Sequence, residues 1–149
     1  MSKAKQLSEL QVFCSGCRNC GLAKTRNNVV FGVGDAGARI MFVGEAPGAD
    51  EDRQGLPFVG RAGQLLNQSL GEIGIAREEV YIANIIKCRP PENRDPLPDE
   101  IAACKELLFA QIAIIQPEVL CTLGRHAAMT LLDIPNFKIS RDHGTALNW

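Results

Sequence analysis

The sequence is poor in aromatic residues and histidine, and it carries no long apolar run. One Trp, one Tyr and six Phe make up 5% of the 149 residues, beside two His. No segment is long and apolar enough to read as a membrane span. The first residues, Met1 to Val12, carry Lys3, Lys5, Gln6 and Glu9 and lack the apolar region of a secretory leader. The formal net charge is −1, which excludes bulk attraction to nucleic acid, so such a partner would need a local basic patch. Arg18, Lys24, Arg26, Arg61, Lys87, Arg89, Arg94 and Arg125 are the candidates. There is no P-loop, no internal repeat and no low-complexity linker. An apolar fraction of 46% with 22% charge is that of a globular chain, and the length suits one domain, 1–149.

What the chain does have is cysteine, six in all. Without a leader they are expected in a reducing compartment, the cytoplasm, where disulfides are rare. Cys14, Cys17 and Cys20 form two overlapping C-x-x-C pairs. Cys88 follows an apolar run and Cys104 falls in the next helical segment. Four thiolates suit zinc or an iron–sulfur cluster. Spacing leaves these two open, with unliganded thiols as a third reading. It also leaves open which two of the three N-terminal cysteines bind. Cys121, within an apolar run, reads as a small buried hydrophobe.

Strand and helix patterns alternate along the chain. Helices are expected over 2–14, 60–74, 99–116 and 124–132. The third starts near Pro98 and is ended by Pro117. Short apolar runs at 39–44, 80–86 and 118–123 read as buried strands. The alternation predicts an α/β fold, a three-layer α/β/α sandwich around a small parallel sheet. Ligands then bind beyond the C-terminal strand ends, which places chemistry on the loops at 44–48, 84–91 and 122–125. Only three strong strands are present, and the chain stops at Trp149 after a turn-like segment. A last strand is therefore expected to be absent and the domain C-terminally incomplete.

Gly32-Val-Gly34-Asp-Ala-Gly37 matches G-x-G-x-x-G but leads into a strand instead of following one, so it reads as a turn and not a dinucleotide site. Gly44-Glu-Ala-Pro-Gly48 does follow a strand, and its small residues permit close backbone approach to a ligand. Asp50 and Asp52 read as a solvated charge run. Phe58 is either core or a stacking platform. Asn84 is an unusual residue for an apolar strand.

Together these segments resemble the iron–sulfur (family 4) uracil-DNA glycosylases. The likeness runs through Cys17-Arg-Asn-Cys20, Val29-Val-Phe-Gly32, Gly44-Glu-Ala-Pro-Gly48, Pro57-Phe-Val-Gly60-Arg-Ala-Gly63, Asn84-Ile-Ile-Lys-Cys88-Arg-Pro-Pro91 with Asn93-Arg94, and Cys104. The resemblance implies a uracil-DNA glycosylase fold and hydrolysis of the bond between uracil and deoxyribose in DNA, in base-excision repair. It implies a [4Fe–4S] cluster on Cys17, Cys20, Cys88 and Cys104, with Cys14 set aside. It casts Asn84 as the reader of uracil, Phe58 as its stacking partner and Glu51 as the residue beside C5 that disfavours thymine. The Ala46 backbone helps hold the pyrimidine, and Glu45 binds or orients water. Arg89 and Arg94 are expected to face phosphate. Uracil-containing DNA is the expected partner, with no membrane involvement.

The chain departs from the family in one motif. No His-Pro-Ser is present, and His126 and His143 read as surface or helix-terminus residues. The alternatives to a glycosylase are a non-catalytic iron–sulfur DNA-binding domain, a truncated inactive glycosylase and a zinc-stabilised scaffold.

Overall fold

The computed structural model of the chain describes residues 1–134 and 136–149. Its sheet is built from β1 (Val33–Gly34), β2 (Ile40–Gly44), β3 (Tyr81–Asn84) and β4 (Val119–Thr122), in the spatial order β1-β3-β2-β4. The helices are α1 (Lys3–Ser15), α2 (Ala49–Gln54), α3 (Arg61–Glu72), α4 (Pro98–Ile115), α5 (Arg125–Leu132) and α6 (Ile139–Asp142).

The three expected strands are parallel, with Gly44 opposite Asn84 and Phe42 opposite both Ile82 and Cys121. The sheet as a whole is mixed, which corrects the all-parallel expectation. β1 pairs antiparallel with β3, Val33 opposite Ile82. Two residues are too few to show alternation, so the glycine-rich segment reads as a turn in sequence although it also pairs. On the other side, β4 pairs only with β2 among the described residues. That edge position leaves Cys121 half-buried instead of buried.

Strand alternation divides the core in two. Met41, Val43, Tyr81 and Ala83 pack with Leu7 of α1, Leu108 and Ile115 of α4 and Leu131 of α5. Ile82 packs on the other face with Leu66 and Leu70 of α3, and Ile40, Phe42 and Phe58 cover it. Helices thus flank both faces. Met41, Val43, Ile82, Leu108 and Ile115 are wholly buried, each contributing about 1.5–3 kcal/mol of transfer free energy.

The helix starts follow local chemistry. The Ser2 hydroxyl accepts from the Lys5 amide at 3.3 Å and caps α1. At α4, Pro98 occupies the first turn, and the Glu100 carboxylate accepts from the Leu97 amide at 2.8 Å. α2 escapes sequence reading because its residues, Ala-Asp-Glu-Asp-Arg-Gln, look like a charge run. Asp52 is nonetheless 1% exposed, which corrects its solvated reading. Its carboxylate accepts from the Asn27 amide (2.9 Å), the Asn27 side chain (2.6 Å) and the Asn28 amide (3.2 Å), and the Asn28 side chain donates back to its carbonyl (2.7 Å). This residue sews the loop ahead of β1 onto α2. Asp52→Ala leaves those donors unpaired, and a loss of about 3 kcal/mol is expected, read as a lower midpoint in urea unfolding.

Candidate functional site

The loops beyond the C-terminal ends of β2 and β3 carry two adjoining sites, one polar and aromatic, the other rich in thiols.

The first is built around Asn84, the last residue of β3, beside Gly44 of β2. Asn84 is 2% exposed, and its Oδ1 is the only buried side-chain oxygen or nitrogen among the described residues without a hydrogen-bond partner. An unpaired buried acceptor costs about 1–3 kcal/mol. The ring of Phe58 closes on the same point. A Cβ added to Gly44 would stand 2.5 Å from both Asn84 Oδ1 and Phe58 Cζ, so only glycine fits there. Gly44, Asn84 and Phe58 therefore converge on one point, where an aromatic ring lies beside a bare buried acceptor.

Phe58 holds a left-handed backbone, φ 52°, which costs a bulky residue on the order of 1–3 kcal/mol. Three contacts hold it there. Arg77 donates to the carbonyls of Phe58 (2.8 Å) and Pro57 (2.6 Å). Gly63 of α3 lets that helix lie directly against the Phe58 backbone. Glu51 of α2 accepts from the amides of Val59 (3.0 Å) and Gly60 (2.7 Å), while its other oxygen accepts from Gly48 (2.9 Å). Both Glu51 oxygens are thus committed to backbone, joining the Gly44–Gly48 loop to the Phe58 loop. Sequence reasoning missed this bracing role, because the donors come from residues whose proximity only the fold creates.

Glu45 follows Gly44, half-buried, with Ala46 packed against the core behind it. Burial pushes the Glu45 carboxyl above its ordinary range. His126 pulls it down, Asp95 pushes it up and Arg125 pulls it down. Among the described residues, Glu45, Asp95 and His126 are the one group whose His, Cys or carboxylate ligand atoms all lie within 4.8 Å of one another. Of the two readings of His126, surface or helix terminus, the second holds, since it is the second residue of α5. It is 23% exposed and borders the Asn84 loop cluster, a placement that follows from α5 beginning directly after β4. His143 is exposed, with Nδ1 2.8 Å from the Ile139 carbonyl.

The second site is a cavity walled by Cys14, Cys17, Cys20, Cys88 and Cys104 together with Leu22, Val29, Ile86 and Leu107. α1 and the loop after it supply the first three cysteines. Cys88 follows β3 and Cys104 lies in α4. The fold thus brings the four sequence candidates together and adds Cys14, which is wholly buried. The lining accepts negative sulfur. Arg26 donates to Cys88 Sγ at 3.5 Å, the Lys87 amide donates to Cys104 Sγ at 3.2 Å, and the Lys87 ammonium is buried in the same wall. Burial raises the Cys88 thiol to about 11 and the Cys14 thiol to about 12, and pushes up Cys104. A bound cation would displace those protons. The donor set, five thiols with N–H donors to sulfur, fits a thiolate-bound metal group.

Of the expected basic patch, three members are otherwise engaged. Lys87 is buried, Arg26 serves the cysteine cavity, and Arg94 makes a two-pronged pair with Glu100 at 2.8 and 2.9 Å. Arg94 is therefore paired within the fold and not a free cation. Arg18, Lys24, Arg61 and Arg125 are exposed.

Residues 31–147 match the family described as the Uracil DNA glycosylase superfamily. The chain is 53% identical over 131 residues to a Type-4 uracil-DNA glycosylase of Archaeoglobus fulgidus, covering 86% of this chain and 66% of that protein. It is 50% identical over 133 residues to the Type-4 uracil-DNA glycosylase of Thermotoga maritima, covering 89% and 69%. A Type-5 uracil-DNA glycosylase of Thermus thermophilus is 34% identical over 116 residues, 68% of this chain and 52% of that one. The chain spans about two thirds of the length of the first two relatives.

Glu51→Ala removes two acceptor contacts from the Phe58 loop and one from the Gly44–Gly48 loop. The amides of Gly48, Val59 and Gly60 are expected to exchange with solvent at least about tenfold faster, in line with the loss of roughly 1.4 kcal/mol or more of local protection. Amide hydrogen exchange followed by NMR checks this.

Proposed function

Because the chain belongs to the uracil-DNA glycosylase superfamily, we propose that it releases uracil from DNA by hydrolysing the N-glycosidic bond, leaving an abasic site. The observation that carries this reading is the unpartnered Asn84 Oδ1 beneath the Phe58 ring. A bare buried acceptor calls for an N–H donor, and the uracil imide presents one at N3. The amide nitrogen of Asn84 then donates to O4. Phe58 stacks on the base face, and the Ala46 backbone holds the pyrimidine edge. Glu51, through the loop it braces, lines the side where a thymine methyl would press. The scissile bond is hidden in the duplex, so the nucleotide must leave the stack to reach this pocket.

In the reaction, the C1′–N1 bond breaks and its electron pair leaves with the base as an anion. A water oxygen bonds to C1′ as the sugar loses its oxocarbenium character. Glu45, ionised, takes the proton that this water releases, and the base is later protonated from solvent. Fixed donors near the departing anion are what such a site contributes to rate.

Cys17, Cys20, Cys88 and Cys104 would hold a [4Fe–4S] cluster. Its contribution is structural, tying the N-terminal segment to the loop that follows Asn84. The thiol-rich cavity, the N–H donors to sulfur and the names of the relatives support this. Uracil-containing DNA is the partner, approached with exposed arginines and lysines, in a reducing, cytoplasmic setting. Among the described residues no helix is long and apolar enough to cross a membrane.

Purified protein incubated with an oligonucleotide carrying one deoxyuridine is expected to yield an alkali-labile abasic site. Asn84→Ala is expected to lower the single-turnover rate roughly 10²–10³-fold. Equal cleavage with and without the protein would overturn the activity, and DNA binding without base release would favour the non-catalytic alternative. For the cofactor, iron and acid-labile sulfide in equal amounts, with broad visible absorption, are expected. Zinc in their place would refute the cluster.

A further inference from the structure

The sheet brings three loops to one point beside the Asn84 pocket. Glu45 follows β2, Asp95 lies in the segment between Cys88 and α4, and His126 opens α5 after β4. His126 Nε2 stands 3.8 Å from Glu45 Oε2 and 3.5 Å from Asp95 Oδ2. An Arg125 guanidinium nitrogen lies 3.5 Å from the same ring nitrogen. The imidazole is 23% exposed and Glu45 34%, whereas Asp95 is 71% exposed. The Nε2 atom of His126 thus lies between the two carboxylates, the exposed Asp95 on one side and the half-buried Glu45 on the other.

We propose that His126 is a positioning residue for base release, holding the Glu45 carboxylate toward the water site while Asp95 anchors the imidazole from the solvent side. The inference rests on the glycosylase reading of the pocket. It adds a residue that lies outside the motifs carrying the family resemblance.

The electrostatics give the arrangement a signature that simple packing lacks. Glu45 must be ionised to accept a proton from water. Burial and Asp95 oppose its ionisation, and His126 and Arg125 favour it. His126 acts on Glu45 as a cation and lowers its pKa. These are the charged groups that face Glu45, and two of them can be removed with opposite consequences. Without the His126 charge, Glu45 ionises at higher pH. Without the Asp95 charge it ionises at lower pH, provided the imidazole stays in place.

The test compares wild type, His126→Gln and Asp95→Asn in single-turnover release of uracil across pH. His126→Gln is expected to lower the plateau rate roughly tenfold and to move the acid limb upward by on the order of half a pH unit. Asp95→Asn is expected to move the limb downward. A limb that stays in place in His126→Gln, or that moves the same way in both variants, overturns the proposal. A second readout needs no activity. The NMR titration of the Glu45 carboxyl carbon is expected to shift upward in His126→Gln and downward in Asp95→Asn. Wild type that releases no uracil while these titrations move as expected refutes the glycosylase reading and leaves the positioning geometry standing. Titrations that do not move refute the positioning. Unchanged far-UV circular dichroism and melting temperature identify variants that have kept the fold. If His126→Gln unfolds, the titration in His126→Asn decides instead.

Discussion

The buried ammonium of Lys87 is the interaction on which both sites depend. It is 1% exposed and lies where the chain leaves β3. It donates to the Asn84 carbonyl at 2.8 Å and to Gln111 of α4 at 2.6 Å, and sits 5.9 Å from the centre of the Phe31 ring. Gln111 in turn donates to the Phe31 carbonyl and to the Tyr81 hydroxyl. The Lys87 amide donates to Cys104 Sγ, and its carbonyl accepts from Val30 at 2.7 Å. One residue therefore links the end of β3, the β1 approach, α4 and the cysteine cavity. Burial lowers its pKa to about 8, opposed by the neighbouring Cys104 and Cys14. Negative sulfur in that cavity favours the ammonium, and the ammonium favours thiolates. The two charges, each costly alone in a core, make one another tolerable.

This coupling explains the placement of the two sites back to back. The segment from Asn84 to Cys88 begins at the unpaired acceptor and ends at a thiol. Ile85 and Ile86 are fixed by their amides donating to the carbonyls of Gly44 and Glu45, so the two loops that form the pocket are tied to each other by backbone. A group bound by Cys88 and Cys104 would then stiffen the same strand end that holds Asn84, without any contact with substrate.

Much of this was legible in the sequence. The apolar runs at β2, β3 and β4 are too short for helices and too continuous for exposed segments, and their ends locate Glu45, Asn84 and Cys88. Residues whose role depends on a distant partner were not legible. Asp52 looks like one acid among several until Asn27 and Asn28 meet it. Arg94 looks free until Glu100 turns toward it from α4. Lys87 looks like part of a basic patch until the sheet places it inward. Cys14 was set aside by the family resemblance, yet the final turn of α1 carries it into the cavity. His126 carries no motif at all, and its meaning comes from β4 ending beside β2. β1 was hidden for another reason, since a two-residue antiparallel pair leaves no periodic signal.

The pocket concentrates the molecule's unfavourable local choices. Asn84 keeps an acceptor without a donor, Phe58 keeps a left-handed backbone, and Glu45 keeps a carboxylate in a partly dry setting. Each costs of the order of a kilocalorie or more, and nothing in the core requires any of them. An apolar residue at 84 or a glycine at 58 would relieve the cost. What holds them is a ring of satisfied contacts just outside the pocket: Glu51 and Arg77 on the Phe58 loop, Lys87 beneath Asn84, and His126 beside Glu45. The surrounding fold is therefore satisfied around these residues, and the unpaired acceptor and the left-handed backbone lie inside that ring. That is the pattern expected of a site shaped for a planar base with an N–H edge, since binding such a base would supply the missing donor, cover the aromatic face and leave Glu45 poised at the sugar.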